Sequence, residues 1–176
     1  MHRYTYNRRD YNWKVTGTAA FCVVAGLYSV LMILEGNPLF WVFPPVCIYQ
    51  LWNTFGSLSN PEVVEVDETE GILRFSAFGR SHTYRVEEVT VFLVKELEPH
   101  KKFYLRVEDK GGKKGRYWIP CKYMENGAEL WDWCAWMEYQ KDPGLIKFRT
   151  RTTMPRDPYR TEEEPPEQTE TKELTP

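Results

Sequence analysis

The stretch PLFWVFPPVCIYQLWNTFG, residues 38–56, carries no charge and sets two adjacent prolines, Pro44 and Pro45, inside an apolar run. It reads either as a core segment of a soluble domain or as a membrane crossing, and its upstream neighbour decides between them. Residues 15–34 read VTGTAAFCVVAGLYSVLMIL, twenty residues without a charge. At about 1.5 Å per residue, a helix of that length covers the roughly 30 Å hydrocarbon core of a bilayer. A cleavable signal peptide has a shorter apolar core, about 7–15 residues, and ends at a small-residue cleavage site. This run ends instead in Glu35-Gly36-Asn37-Pro38. That turn separates the first span, 15–34, from a second, 38–55, and the pair predicts a two-helix transmembrane hairpin. Prolines in the second span are tolerated where a neighbouring helix or a kink satisfies the freed carbonyls. Gly17, Ala20 and Gly26 offer close approach between the helices, and Trp41, Tyr49 and Trp52 suit interfacial zones.

Orientation follows from Lys and Arg. The first fourteen residues carry Arg3, Arg8, Arg9 and Lys14, and the loop between the spans carries none, so a basic N-terminus, 1–14, is expected in the cytoplasm. Two spans return the chain to the same side. The prediction is therefore a multi-pass protein of the cell membrane with both termini cytoplasmic. Cys22, Cys47, Cys121 and Cys134 show no metal-ligand or disulfide spacing and read as reduced, structural thiols.

After the linker GSLSNP the texture changes to short β-rich runs between turns: 63–66, 71–79, 82–86, 90–97, 103–109 and 115–120. In FYLRVED, residues 103–109, Phe103, Leu105 and Val107 alternate with Tyr104, Arg106 and Glu108, which gives one buried face and one wet one. KGGKKG, residues 110–115, supplies the next turn. The β-region ends in NGAELWDWCAWMEY, where Asn126 and Glu129 have the spacing of a capping box. Leu130, Trp133, Cys134 and Met137 fall on one helical face, with Trp136 on the opposite side beside Asp132 and Tyr139. The expected class is an α+β membrane protein: an N-terminal two-helix hairpin, then an antiparallel barrel or sandwich of six or seven strands over 62–140, closed by one C-terminal helix. A basic segment, 141–160, and an acidic tail, 161–176, follow. The tail, TEEEPPEQTETKELTP, has the composition of a disordered segment.

The order of these parts, and the run EVDETEGILRFSAFGRSHTYRVEEVTVFLVKEL in particular, resembles the bacterial pleckstrin-homology-like (PH-like) membrane proteins over residues 15 to about 140. The resemblance implies a small β-barrel or sandwich behind one or two membrane segments and brings no catalytic motif with it. Lipid-binding relatives in eukaryotes use basic residues around the first hairpin. The turn set against it here, DETEG at 67–71, is acidic.

His2, His82 and His100 have no metal-ligand spacing, and the nucleophile-elbow, phosphate-loop and dinucleotide patterns are missing. The expected role is non-enzymatic, without cofactor, metal or nucleic acid: a membrane-tethered interaction or scaffolding module that takes a protein partner or a second copy of itself. A peripheral sensor of anionic lipid headgroups and an accessory subunit of a larger membrane complex are the alternatives. Candidate contacts with lipid or partner are Lys101, Lys102, Lys113, Lys114, Arg116, Trp136, Arg149 and Arg151. Lys141 and Lys147 lie in the same basic C-terminal stretch.

Overall fold

The computed structural model describes residues 1–98, 101–149 and 154–159. Seven antiparallel strands form two sheets. The first holds β1 (His2–Thr5), β2 (Val63–Asp67), β3 (Ile72–Ala77) and β4 (Arg80–Arg85) in that order; the second holds β5 (Val89–Glu98), β6 (Lys102–Asp109) and β7 (Lys114–Ile119). The six runs expected after residue 62 are all strands, and alternation is the cause. Val64 and Val66, Leu73 and Phe75, Phe103, Leu105 and Val107, and Tyr117 and Ile119 point inward and are buried, while their neighbours face outward. Phe75 stacks on Tyr117 with ring centroids 3.8 Å apart, so the two inner faces share one core.

β1 is the first departure from expectation. It lies in the stretch read as a basic N-terminal segment, yet it pairs with β2 residue for residue, from His2 opposite Val66 to Thr5 opposite Val63. Tyr4 and Tyr6 enter the core, 1% and 4% exposed. The Asn7 amide donates to the Tyr123 carbonyl and the Glu125 amide to the Thr5 carbonyl, which joins the N-terminus to the segment after β7. The connection between the first two strands of the sheet is therefore the whole apolar excursion, and DETEG is the turn between β2 and β3. Its first residue, Asp67, accepts from the Thr69 and Glu70 amides, and Gly71 takes the positive φ of 61° that closes it.

The excursion starts as a continuous helix, Arg8–Leu34, of 27 residues, the one described helix long and apolar enough to cross a membrane. Within it α1 (Arg8–Tyr11) passes through a π-helical turn, Asn12–Thr16, into α2 (Gly17–Leu34). The return, expected as one span over 38–55, is instead a 3₁₀ turn Pro38–Val42, then α3 (Phe43–Leu51), then a second π turn Trp52–Gly56. Pro44 and Pro45 explain the break. They occupy the first turn of α3, where amide hydrogens have no intrahelical partner and a fixed φ favours initiation. α3 packs along α2, and a Cβ on Gly26 would lie 3.5 Å from Cys47 Cβ, so of the three small residues only Gly26 makes the expected close approach. Ala20 faces outward.

The turn between β3 and β4 ties the helices to the domain. Phe78 and Gly79, at φ 51° and 73°, form the two-residue loop, and two positive φ values in such a loop match the right-handed strand twist. A phenylalanine is an expensive occupant of that region. Its ring packs between Tyr11, at 5.8 Å, and Phe55, at 4.9 Å, where the excursion leaves and rejoins the sheet. Arg80 donates to the Phe55 carbonyl at 2.8 Å, placing a cation at the negative end of the returning helix.

α4 (Gly127–Lys141) closes the domain with Leu130, Trp133, Cys134 and Met137 all buried. The expected capping box is absent. Asn126 is left-handed (φ 53°) and makes no side-chain cap, while Glu129 accepts from the Tyr4 hydroxyl at 3.0 Å. The tight entry explains this: a Cβ on Gly127 would stand 2.8 Å from Cys121 Cα and nearer still to its carbonyl oxygen. Glu138, 1% exposed, accepts from the Val94 amide at 2.9 Å and pairs with Lys147. Lys147 also donates to the Val94 carbonyl, and Lys141 to the Val86 carbonyl. Lys141, at the end of α4, and Lys147, beyond it, thus tie this part of the chain to Val86 before β5 and to Val94 within it. A short α5 (Ile146–Arg149) follows and buries Phe148. The acidic tail lies outside the described residues.

Candidate functional site

Where the helices meet the sheets there is a cleft of about 440 Å³. Its floor and one wall come from both ends of the excursion: Lys14, Val15 and Thr18 from the outgoing helix, Gln50 and Thr54 from the return. The opposite wall is Lys101 and Lys102 at the turn into β6, Trp118 at the end of β7, and Pro120, Lys122 and Tyr123 on the way to α4. The sequence makes this meeting point because β1 ends only a few residues before the outgoing helix, and the Tyr6–Met124 bridge holds that helix beside the 120–124 segment.

Four lysines and no carboxylate line the cleft. Among the described residues none of the four is in an ion pair. Other surface cations are: Lys114 meets Glu108 at 2.9 Å, Arg74 and Arg3 meet Glu65, and Arg85 meets Glu88. Three of the four cleft lysines rest on aromatic faces. Lys14 Nζ lies 3.1 Å from the Tyr123 ring centroid, Lys122 Nζ 5.8 Å from the same ring, and Lys102 Nζ 5.4 Å from the Trp118 ring. The Lys14 ammonium, with Lys122 adding to it, holds the Tyr123 phenol below its usual range. Burial pushes the neighbouring Tyr6 phenol up to about 12, with help from the charge on Asp10. The Thr18 and Thr54 hydroxyls are committed to the Lys14 and Gln50 carbonyls. The other donors among the lining side chains are the four ammonium groups, of which Lys14 is also bonded to the Tyr123 phenol, the side-chain amides of Gln50 and Asn60, the Tyr6 and Tyr123 hydroxyls and the Trp118 indole N–H. Such a set attracts an anion.

A second groove, about 550 Å³, runs beside the first over the outer face of β5–β7, and Gln50, Asn60 and Trp118 line both. It takes Lys95, Tyr104 and Arg116 from the sheet and Tyr49 and Asn53 from the return.

Of the residues expected at a site, the structure brings Lys101 and Lys102 together in the cleft and sets Arg116 in the second groove. Lys113 donates to the Thr83 carbonyl at 2.9 Å and lies over Tyr84, and Lys114 is held by Glu108; both stand on the β6–β7 turn. Trp136 is half-buried and packs against the core, so it is not a free anchor. Arg149 is exposed at the end of α5, and Arg151 lies outside the described residues. Lys14 and Lys122 were missed. In the sequence Lys14 is one more charge before an apolar run, Lys122 is an isolated cation between Cys121 and Tyr123, and only the fold makes them neighbours.

Comparison with protein-family models, with characterised proteins and with solved structures finds no match for the chain.

Proposed function

We propose that the chain is a membrane-anchored, PH-like interaction module in which residues 17–56 cross a bilayer twice and hold the β-domain against its cytoplasmic face. One observation carries this reading. β1 precedes the apolar excursion and β2 follows it, yet the two are hydrogen-bonded neighbours in one sheet. A chain that leaves a folded domain into a membrane and is found again in the same domain must come back through the same face.

The surface of the excursion supports the same reading. Phe21, Val24, Leu27, Leu31, Leu39, Trp41, Val46, Ile48 and Trp52 are all more than half exposed, and only 17% of the most apolar window of the outgoing helix is buried. An apolar patch of this extent calls for lipid or a partner. Thr18, Ser29 and Thr54 each turn the hydroxyl back to the carbonyl four residues earlier, which satisfies these three donors within their own helices. The part of the outgoing helix proposed to cross, Gly17–Leu34, is 18 residues and about 27 Å long, and the 3₁₀, α and π pieces of the return span about 30 Å together. Arg8, Arg9 and Lys14 at the base, with no Lys or Arg near the tip, favour a cytoplasmic domain.

Four strands, three strands and one closing helix agree with the PH-like resemblance, whose small closed β-unit we adopt. The role is tethering: confinement at a membrane raises the effective concentration of the domain for membrane-associated partners. Both ends of the excursion line one cleft, so a short Gly-Ser linker can replace residues 17–56 without parting β1 from β2. The shortened protein is expected to be soluble and to keep the β-rich circular dichroism of the domain, while the full chain sediments with membranes. Membrane sedimentation of the folded shortened protein would reject the anchor.

A further inference from the structure

The cleft concentrates four lysines in its lining, against two cations, Lys95 and Arg116, in the neighbouring groove, and neither lining holds a carboxylate. Lys14, Lys101, Lys102 and Lys122 converge on one space with no carboxylate among its lining residues, and Asp10 is felt at Tyr6 and Tyr123 through its charge without lining it. Four ammonium groups around one cavity repel one another unless an anion sits between them, and the low-dielectric wall on the helix side strengthens the attraction for that anion. Lysine is a point-charge donor suited to phosphate. The cavity, about 440 Å³, is within the size of small-ligand sites.

We infer that this cleft binds the phosphate of an anionic membrane lipid. The inference rests on the anchoring proposed above, since that reading sets the height of the cleft. Its walls include the first turns of the outgoing helix and the last turns of the return, so with the helices in a bilayer it opens at the headgroup layer. Trp118 and Tyr123 line it on the domain side, and amphipathic rings of this kind favour that layer. A lipid entering there keeps its chains beside α2 and α3 and offers its phosphate to the four lysines. The site lies away from the DETEG turn between β2 and β3 and from the β6–β7 turn, where Lys114 is already paired.

The test uses the full chain in mild detergent, with native mass spectrometry reading bound lipid as phosphatidylglycerol, phosphatidylcholine or inorganic phosphate is titrated. Three variants are compared with wild type: Lys101→Gln with Lys102→Gln, Lys14→Gln with Lys122→Gln, and Lys113→Gln with Lys114→Gln on the distant turn. Wild type is expected to prefer phosphatidylglycerol. Each cleft pair should weaken that binding roughly 25-fold, about fivefold per lysine, and the distant pair should leave it within about twofold, as expected for exposed charges a Debye length away. The Lys101–Lys102 pair is exposed, so its loss of binding is not a loss of fold. Equal binding of the two lipids, or equal weakening by all three pairs, overturns the inference. Displacement of phosphatidylglycerol by millimolar inorganic phosphate, with no lipid preference left, reassigns the cleft to free phosphate. Flotation of wild type with neutral vesicles reports the anchor separately: a protein that floats but shows no lipid preference loses only the cleft assignment, and one that does not float loses both.

Discussion

Tyr4→Ala is expected to cost the domain about 3 to 5 kcal/mol, the range for truncating a large buried aromatic. Tyr4 is 1% exposed, donates to Glu129 and meets the Tyr159 hydroxyl, so one side chain links β1 to α4 and to the segment after α5. Chemical denaturation of the full chain, followed by tryptophan fluorescence, measures the change. Arg3→Ala is the control, because Arg3 is largely exposed and only 3.8 Å from Glu65; an exposed pair of that kind is worth under about 1 kcal/mol. Equal, small effects of both substitutions would mean that β1 is a dispensable arm, and the argument that the excursion returns to its starting face would lose its footing.

The second large effect is on insertion. Val23→Arg and Leu31→Arg place charges on outward-facing positions of α2, 45% and 59% exposed, so neither disturbs the packing of α2 on α3. Each central arginine costs roughly 2.5 to 3.5 kcal/mol of insertion. The double variant, with the sites two turns apart, is expected near the sum, about 5 to 7 kcal/mol. Carbonate-resistant pelleting of the expressed protein should fall sharply for either single variant and vanish for the double. Unchanged membrane partitioning in all three would remove α2 from the bilayer.

Strand identity was legible wherever one face is buried and the other wet. Phe103, Leu105 and Val107 are an example: the period of two is forced by the pleat, and no distant contact is needed to see it. The buried face of α4 was legible for the same reason at a period near 3.6. β1 was not, because His2–Thr5 is four residues long and its only apolar member is Tyr4. Its strand character comes from pairing with β2, some sixty residues away. The start of α4 was misread because Asn126 and Glu129 have the right spacing, but Gly127 must pass so close to the Cys121 backbone that Asn126 turns left-handed. The return was read as one span because composition does not show where a helix begins, whereas Pro44 and Pro45 fix α3 to start at Phe43. Half of the cleft, Lys101 and Lys102, was visible as a local pair of charges. The other half, Lys14 and Lys122, is brought in by the pairing of β1 with β2 and by the Tyr6–Met124 bridge.

In the proposed arrangement both ends of the apolar excursion, with the whole β-domain, lie on one face of a membrane and its tip on the other. Cysteine labelling with a membrane-impermeant maleimide tests it most directly, with Arg3→Cys, Glu35→Cys and Lys110→Cys each compared against the unsubstituted chain, whose Cys47, Cys121 and Cys134 are buried. All three new positions are exposed. Glu35→Cys should react in intact cells, and Arg3→Cys and Lys110→Cys only after the cells are opened. Reaction of Arg3→Cys and Lys110→Cys from opposite faces, or of all three from the same face, would contradict the account.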